Sequence, residues 1–349
     1  MITLTRRYFQ CRCGGSDGSY AVDDLLGITS RYTRTLQKHS CRLAADVSFA
    51  ATSEHLHAML GVVVCAETIR TLVESHGAAM ATFQPRDVAS GQEFQASEGG
   101  VEFTIDAGKV NTCADGWRDI EIGVFQKRKA GAPVSLEDWD EQRLPAPTAR
   151  LAFAEIAPSK MFRQCWREWL QGLGVAHMAD LSVLADGASW IWKSAPRVLT
   201  GCLETLDIFH ACQRLKQCAD RVFGDSTSVS HAGYERGRGL LLAKGWAGVC
   251  EWVGELLGVD DVGERERRQK ATTKLVMYFA PHVGRLNYAE RLASGRAIGS
   301  GAVEGQAKTL GLRLKARGAQ WRIANVNAMA SLVCVRHSDQ FEAYWSLAA

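Results

Sequence analysis

Residues 101–125 read VEFTIDAGKVNTCADGWRDIEIGVF, and apolar residues recur at every second position in two parts of the run. Val101, Phe103 and Ile105 alternate with other residues, and Ile120, Ile122 and Val124 do so again. A period of two puts successive side chains on opposite faces of a strand, so 101–106 and 117–125 are predicted strands. Working outward, RLAFAEIA (150–157) makes a third strand, after a polar loop at 136–149 that carries two prolines. Residues 159–173 then switch to helical spacing, with Phe162, Trp166, Trp169 and Leu170 on one face. LSVLAD (181–186) and GCLETLDIF (201–209) supply the fourth and fifth strands. Three strands, a helix, a strand and a further strand describe an α/β protein with a mixed sheet.

On the N-terminal side, residues 84–100 are polar and read as a linker. Before them, 48–82 has the outline helix, short Gly-containing turn, helix, with Phe49, Leu56 and Leu60 on one stripe and Ile69, Leu72 and Val73 on the next. That outline fits a helix-turn-helix DNA reader and equally an ordinary helical hairpin. Residues 1–46 are Arg-rich and irregular. Beyond His210 the chain reads helical for about ninety residues, and the last strong helix begins near Ser300. No internal repeat is present.

The 349 residues hold 41 Lys and Arg against 38 Asp and Glu, a net charge of +3 that is unevenly spread. Between Val262 and Arg336 there are 14 basic and 4 acidic residues, a local balance of +10 that leaves −7 for the remainder. Such a block is either a solvated face or a phosphate-binding surface. A hydrophobic fraction of 46% without an apolar run of eighteen residues excludes a predicted membrane helix. The opening MITLTRRYFQCRCGG lacks the apolar core of a secretory signal, so the 11 cysteines are expected as reduced thiols in a cytoplasmic protein.

Asp106 and Asp186 close the first and fourth predicted strands, and functional groups of α/β sheets gather at the carboxyl ends of strands. Asp at a strand end is also a common turn or cap residue. The third carboxylate lies in AIGSGAVEGQAKTLGLRLKARGAQW (297–321), where Ser300 is a predicted N-cap. Val303, Ala307, Leu310 and Leu314 form the apolar stripe of the helix behind it, with Glu304, Lys308 and Lys315 on an adjacent polar face. Glu304 there either complements the helix dipole or serves chemistry. Two Asp and one Glu on separate rigid elements suffice for two-metal phosphodiester cleavage with Mg²⁺ or Mn²⁺.

ADGASWIW (185–192), LDIFHACQRL (206–215), RLNYAERLASGRAIGSGAVEGQAK (285–308) and RLKARGAQW (313–321) together resemble the Mutator-related DDE transposases of bacterial insertion sequences, the Kra-type group. The likeness spans about residues 100–345 and extends more weakly through DDLLGI and the 48–82 hairpin. It implies an RNase H-like catalytic fold interrupted by a helical insertion, with Asp106, Asp186 and Glu304 as the acidic metal ligands. Asp207 and His210 match the family's D-x-x-H signature. The implied organisation is an N-terminal segment at 1–46, a DNA-binding hairpin at 47–83, a catalytic domain from 84–210 and 296–349, and an insertion at 211–295. Asp106 is followed by Ala-Gly where the family has Gly directly, and Asp115 is the alternative first acid. Relatives begin with a zinc-binding segment; here Cys11-x-Cys13, with Cys41 and His39 poorly spaced behind it, does not make a predicted Zn²⁺ site.

The resemblance further implies DNA partners, namely transposon terminal inverted repeats and target DNA, with a homo-oligomer holding two ends near the nucleoid. Arg285, Arg291, Arg296, Lys308, Arg313, Lys315 and Arg317 are the expected phosphate contacts, which would position DNA without reading its sequence. Two other readings are a DNA-binding relative without catalysis and a nuclease that cuts without rejoining.

Overall fold

The computed structural model of the chain describes residue 7 and residues 20–25, 32–175, 180–338 and 340–347. Helices α1 (Ala21–Leu25), α2 (Arg34–Ala44), α3 (Phe49–Leu60), α4 (Ala66–Phe83) and α5 (Val88–Ala96) precede strands β1 (Gly100–Thr112), β2 (Gly116–Arg128) and β3 (Ala149–Glu155). Then come α6 (Ser159–Leu173), β4 (Leu181–Ala185), α7 (Ser189–Val198) and β5 (Leu203–Leu206). The rest is helical: α8 (Ile208–Phe223), α9 (Ser228–Lys244), α10 (Trp246–Leu257), α11 (Val262–Phe279), α12 (Tyr288–Ala293), α13 (Gly301–Leu314), α14 (Ile323–His337) and α15 (Phe341–Leu347). Two compact units result, one from Met1–Gln84, Asn111–Gly116 and Leu310–Ala349, the other from Pro85–Val110 and Trp117–Thr309.

The second unit is α/β with one five-stranded mixed sheet in the order β3-β2-β1-β4-β5. β1, β4 and β5 run parallel, and β2 pairs antiparallel with β3. Residues 100–105 of β1 are buried on both faces, as expected of a central strand with neighbours and side chains on every side. On one face Phe103 stacks on Phe125 at 4.1 Å and meets the edge of Trp166, from α6, at 5.2 Å. Glu102, on the alternate position, is buried with Gln126 and Arg128 as partners.

The five predicted strands and α6 occupy their expected places, but boundaries need correction, and the fifth strand, expected over 201–209, is only Leu203–Leu206, because Ile208 and Phe209 already belong to α8. Asp106 does not end its strand: β1 continues to Thr112, because Val110 and Thr112 are again buried in the alternating pattern. Residues 84–100 are not a linker, since they form α5, whose Phe94 is buried in the core under the Lys127 ammonium.

Apart from the strand ends and turn at 111–116, the first unit is built of helices among its described residues. α4 packs on α14 through Gly77, where an added Cβ would come within 2.2 Å of the Ala328 carbonyl oxygen. Its buried face is Ile69, Val73, Gly77 and Met80, so the predicted 69/73 stripe is the packed one, whereas Leu60 of the α3 stripe is 53% exposed. The 1–46 region is not uniformly irregular, for Thr33 caps α2 by accepting from the Leu36 amide. Nor is α13 the last strong helix: α14 follows it, buried on all sides from Ala328 to Val335 and so without the amphipathic stripe that helical periodicity detects.

Cys11 and Cys13 lie outside the described residues. Cys41 is buried on α2 while His39 is exposed, so these two do not converge on a zinc ion. All nine described cysteines are free thiols. No helix among the described residues is long and apolar enough to cross a membrane.

The aromatic stack beneath β1 should dominate the stability of the sheet unit. Phe103→Ala is expected to cost about 3–5 kcal/mol through lost burial and the cavity left behind. Urea unfolding followed by tryptophan fluorescence would measure it, and a loss below about 1 kcal/mol would show that the core collapses around the gap.

Candidate metal centre

The register of the three parallel strands sets the site. Ile105 of β1 lies opposite Ala185 of β4, and Ala185 lies opposite Leu206 of β5. The residue after each of these three is an aspartate: Asp106, Asp186 and Asp207. Neighbouring strands lie about 4.8 Å apart, so one level of the sheet carries a row of carboxylates.

Each is held differently. Asp106 Oδ1 accepts the Ala107 amide at 2.8 Å. Asp186 Oδ1 accepts the Ala188 amide at 2.9 Å, and the Asp186 carbonyl takes the Trp192 indole N–H at 2.7 Å. Gly187 between them is needed for space, since a Cβ there would stand 2.6 Å from the Tyr278 ring. The DGA-WIW spacing is therefore a loop pinned by its own tryptophan, with a glycine where a tyrosine packs.

Asp207 is fully buried and N-caps α8. Its Oδ1 accepts from the His210 amide at 2.8 Å and lies 3.0 Å from His210 Nδ1. Its Oδ2 accepts the Ser300 amide at 2.6 Å and the Ser300 hydroxyl at 2.8 Å. Burial alone would push this carboxyl up, but the bonds from His210 and Ser300 outweigh it and hold the pKa below the ordinary value. Ser300 in turn accepts the Val303 and Glu304 amides at its carbonyl, which starts α13.

Asp106, Asp186 and His210 each offer a ligand atom within 4.8 Å of the other two, and this trio could hold a metal ion. With Nδ1 turned to Asp207, Nε2 is the ring nitrogen left for that role, and a carboxylate bonded to the other ring nitrogen is a common way to orient a histidine ligand. The Asp207 hydrogen bond raises the His210 pKa, with Asp106 and Asp186 adding to the shift, despite the opposing effect of burial. The Asp106 pKa is raised, first by burial and then by the charges of Asp186 and Glu304. Glu304 thus stands within electrostatic reach of Asp106 but outside the close trio. The structure thus brings His210 into the donor group with Asp106 and Asp186, and leaves Glu304, expected as the third acidic ligand, outside it. Asp115 sits in the exposed turn between β1 and β2 and takes no part in the trio.

Sequence reading missed Glu121. It lies on β2 beside β1, and burial, with Asp119, Asp186 and Asp106 nearby, raises its pKa to about 7. Its position on a strand predicted to alternate was the available signal, since it falls on the face opposite Ile120 and Ile122. His282 and Tyr278 were also missed. The His282 imidazole is pushed down to about 4 by burial and by Arg285, against the pull of Asp186. Burial and neighbouring negative charge raise Asp106 and Glu121, an electrostatic environment that a bound cation relieves.

The predicted phosphate contacts divide sharply. Arg291 is not a surface contact: it is fully buried, bonds the Ala297 carbonyl through Nε, and is lowered to about 10 by burial. Arg313 is likewise buried, between the rings of Phe49 and Trp321, with Nε on the Ala44 carbonyl. Their stems fill cores because a planar, weakly hydrated guanidinium tolerates burial against rings and carbonyls. Arg285 is paired with Glu204, and Arg296 with Asp180. Lys308, Lys315 and Arg317 are exposed.

Because Asp207 holds His210, the two titrations are linked to folding in opposite directions. The raised histidine contributes stability that is complete below its ordinary value of about 6.5 and is lost as pH rises through the folded value. The lowered aspartate contributes above its ordinary value of about 3.9, and that stability is lost as pH falls through the folded value. In the metal-free protein the His210 ring should therefore titrate by NMR above the ordinary midpoint, and Asp207→Asn should bring the midpoint down. A midpoint unmoved by that substitution would remove Asp207 as the partner that sets the ring's charge. The chain matches no protein-family model and no curated protein.

Proposed function

We propose that the chain is a DDE transposase, cleaving and rejoining DNA strands at insertion-sequence ends with a divalent cation. The observation that carries this reading is the meeting of Asp106 and Asp186, from neighbouring parallel strands, with His210 in one group of donor atoms. Asp186 and His210 come from the motifs that resemble the transposase family, and Asp106 is the first acid that the resemblance implies. The mixed five-stranded sheet is compatible with the RNase H-like fold that the resemblance implies.

Two carboxylates and one imidazole suit Mn²⁺ readily, and Mg²⁺ through the carboxylates with waters completing its shell. A bound divalent cation would polarise a phosphoryl oxygen and make water, or a 3′-hydroxyl, a better nucleophile. Asp106 and Asp186 would hold it, rigidly because each stands on or beside a central strand. Asp207 orients the His210 ring and, through Ser300, the start of the helix that carries Glu304. Glu304 is the candidate ligand for a second cation, and the His210 ring, oriented by Asp207, would complete the donor group through Nε2. Cleavage followed by transfer also requires two DNA ends in one assembly, which favours a homo-oligomer.

Asp106→Ala, Asp186→Ala and Glu304→Ala should each abolish cleavage of labelled end DNA while binding survives. His210→Ala should slow single-turnover cleavage about 10–100-fold, with partial recovery in His210→Gln. Cleavage without strand joining would turn the reading to a nuclease, and binding without either to a DNA-binding relative. Near-wild-type cleavage by any acid variant would remove that residue from the chemistry.

A further inference from the structure

The first turn of α8 carries His210, and the same face of the helix continues with Arg214, Gln217 and Arg221. These are four, three and four residues apart, which keeps them in line and spreads them over about 16 Å. Arg214, Gln217 and Arg221 form one wall of a groove of about 320 Å³, and Lys274 and Tyr278 of α11 form the other. Cys218, Ala271 and Leu275 make its floor. The lining holds three cations and no carboxylate.

Arg214, Arg221 and Lys274 are exposed, and no ion pair engages them among the described residues. The single acid on α8, Asp220, is taken by Lys216 and the Ser230 hydroxyl. On α11, Glu264 faces Arg267 and Arg268. Three positive charges held in a concave wall without ion-pair partners raise the local concentration of anions.

The inner end of the groove reaches the acidic cluster. The Arg214 guanidinium lies over the Tyr278 ring at 4.8 Å, and that ring packs where Gly187 has no side chain, one residue beyond Asp186. A single phosphate would need one pair of cations at one point. A row of cations running away from a carboxylate site instead matches a polyanionic strand.

We infer that the α8–α11 groove binds the sugar-phosphate backbone of a nucleic-acid strand, with Arg214, Arg221 and Lys274 on phosphates flanking the one presented to Asp106 and Asp186. This rests on the phosphodiester reading of that site and deepens it by giving the strand a path. None of the three was among the expected phosphate contacts, which were drawn from the 285–317 block. The groove reads no sequence, because its contacts are to phosphates alone.

The test is binding of a fluorescein-labelled single-stranded oligonucleotide to the full chain by anisotropy, with EDTA present so that no cleavage occurs. Arg221→Gln/Lys274→Gln should weaken binding and flatten the plot of log K against log salt by roughly 1.4, at about 0.7 per lost contact. Arg236→Gln/Lys244→Gln removes the same charge from cations already paired with Glu255 and Glu251 and should leave the slope unchanged. Inorganic phosphate at matched ionic strength should not displace the strand. Wild-type slope and affinity in the groove variant, an equal loss in the control variant, or displacement by inorganic phosphate each overturn the groove while DNA binding stands. A wild-type chain that binds no DNA at low salt overturns the groove and the reading it rests on together.

Discussion

The carboxylate of Asp207 ties the candidate metal centre together. It is a charge with no exposure to water, which is costly unless every lone pair finds a donor. Here the donors are the His210 amide and ring and the Ser300 amide and hydroxyl. They come from the start of α8 and from the turn that opens α13, segments about ninety residues apart in sequence. One buried anion therefore fixes both helix starts against the end of β5. Removing it would leave donors unsatisfied and free the ring that faces Asp106 and Asp186.

That constraint explains why the site is assembled from distant motifs. The sheet aligns Asp106 with Asp186 through the Ile105–Ala185 register, and the adjoining Ala185–Leu206 register delivers Asp207. Trp192 and Tyr278 then hold the loop after Asp186, so DGA-WIW works as a brace for one carboxylate. The result is a rigid acidic row with a cationic groove leading from it along α8. Electrostatically the two parts are opposite, as expected where a cation must be held and a polyanion must approach.

Much of this was legible in the sequence where local periodicity and chemistry agreed. Strand alternation at 101–105 and 120–124, the aromatic face of 159–173 and the aspartates after two strands could be read directly. Asp207 and His210 depended on the family resemblance, because a short strand and a helix start carry little periodic signal. What stayed hidden was set by tertiary packing. α14 is buried on all sides from Ala328 to Val335, so no stripe marks it; α5 buries only Phe94 and Gly91, too few apolar positions to make a stripe. The basic block between 262 and 336 was the most misleading feature. Charge counts do not distinguish Arg291 and Arg313, which are buried among carbonyls and rings, from Lys274, which faces solvent in a groove. Glu121 was hidden for the converse reason, since its neighbours come from strands joined only in the folded sheet.

The central claim is that Asp106 and Asp186 jointly bind a divalent cation. Titration of the metal-free protein with Mn²⁺, following the loss of the free-ion signal by electron paramagnetic resonance, addresses it without any DNA or turnover. Saturable binding is expected for the intact protein, lost in Asp106→Asn and in Asp186→Asn alike, with the fold unchanged by circular dichroism. Binding that persists at wild-type strength in either variant, or no binding to the intact protein, would contradict it.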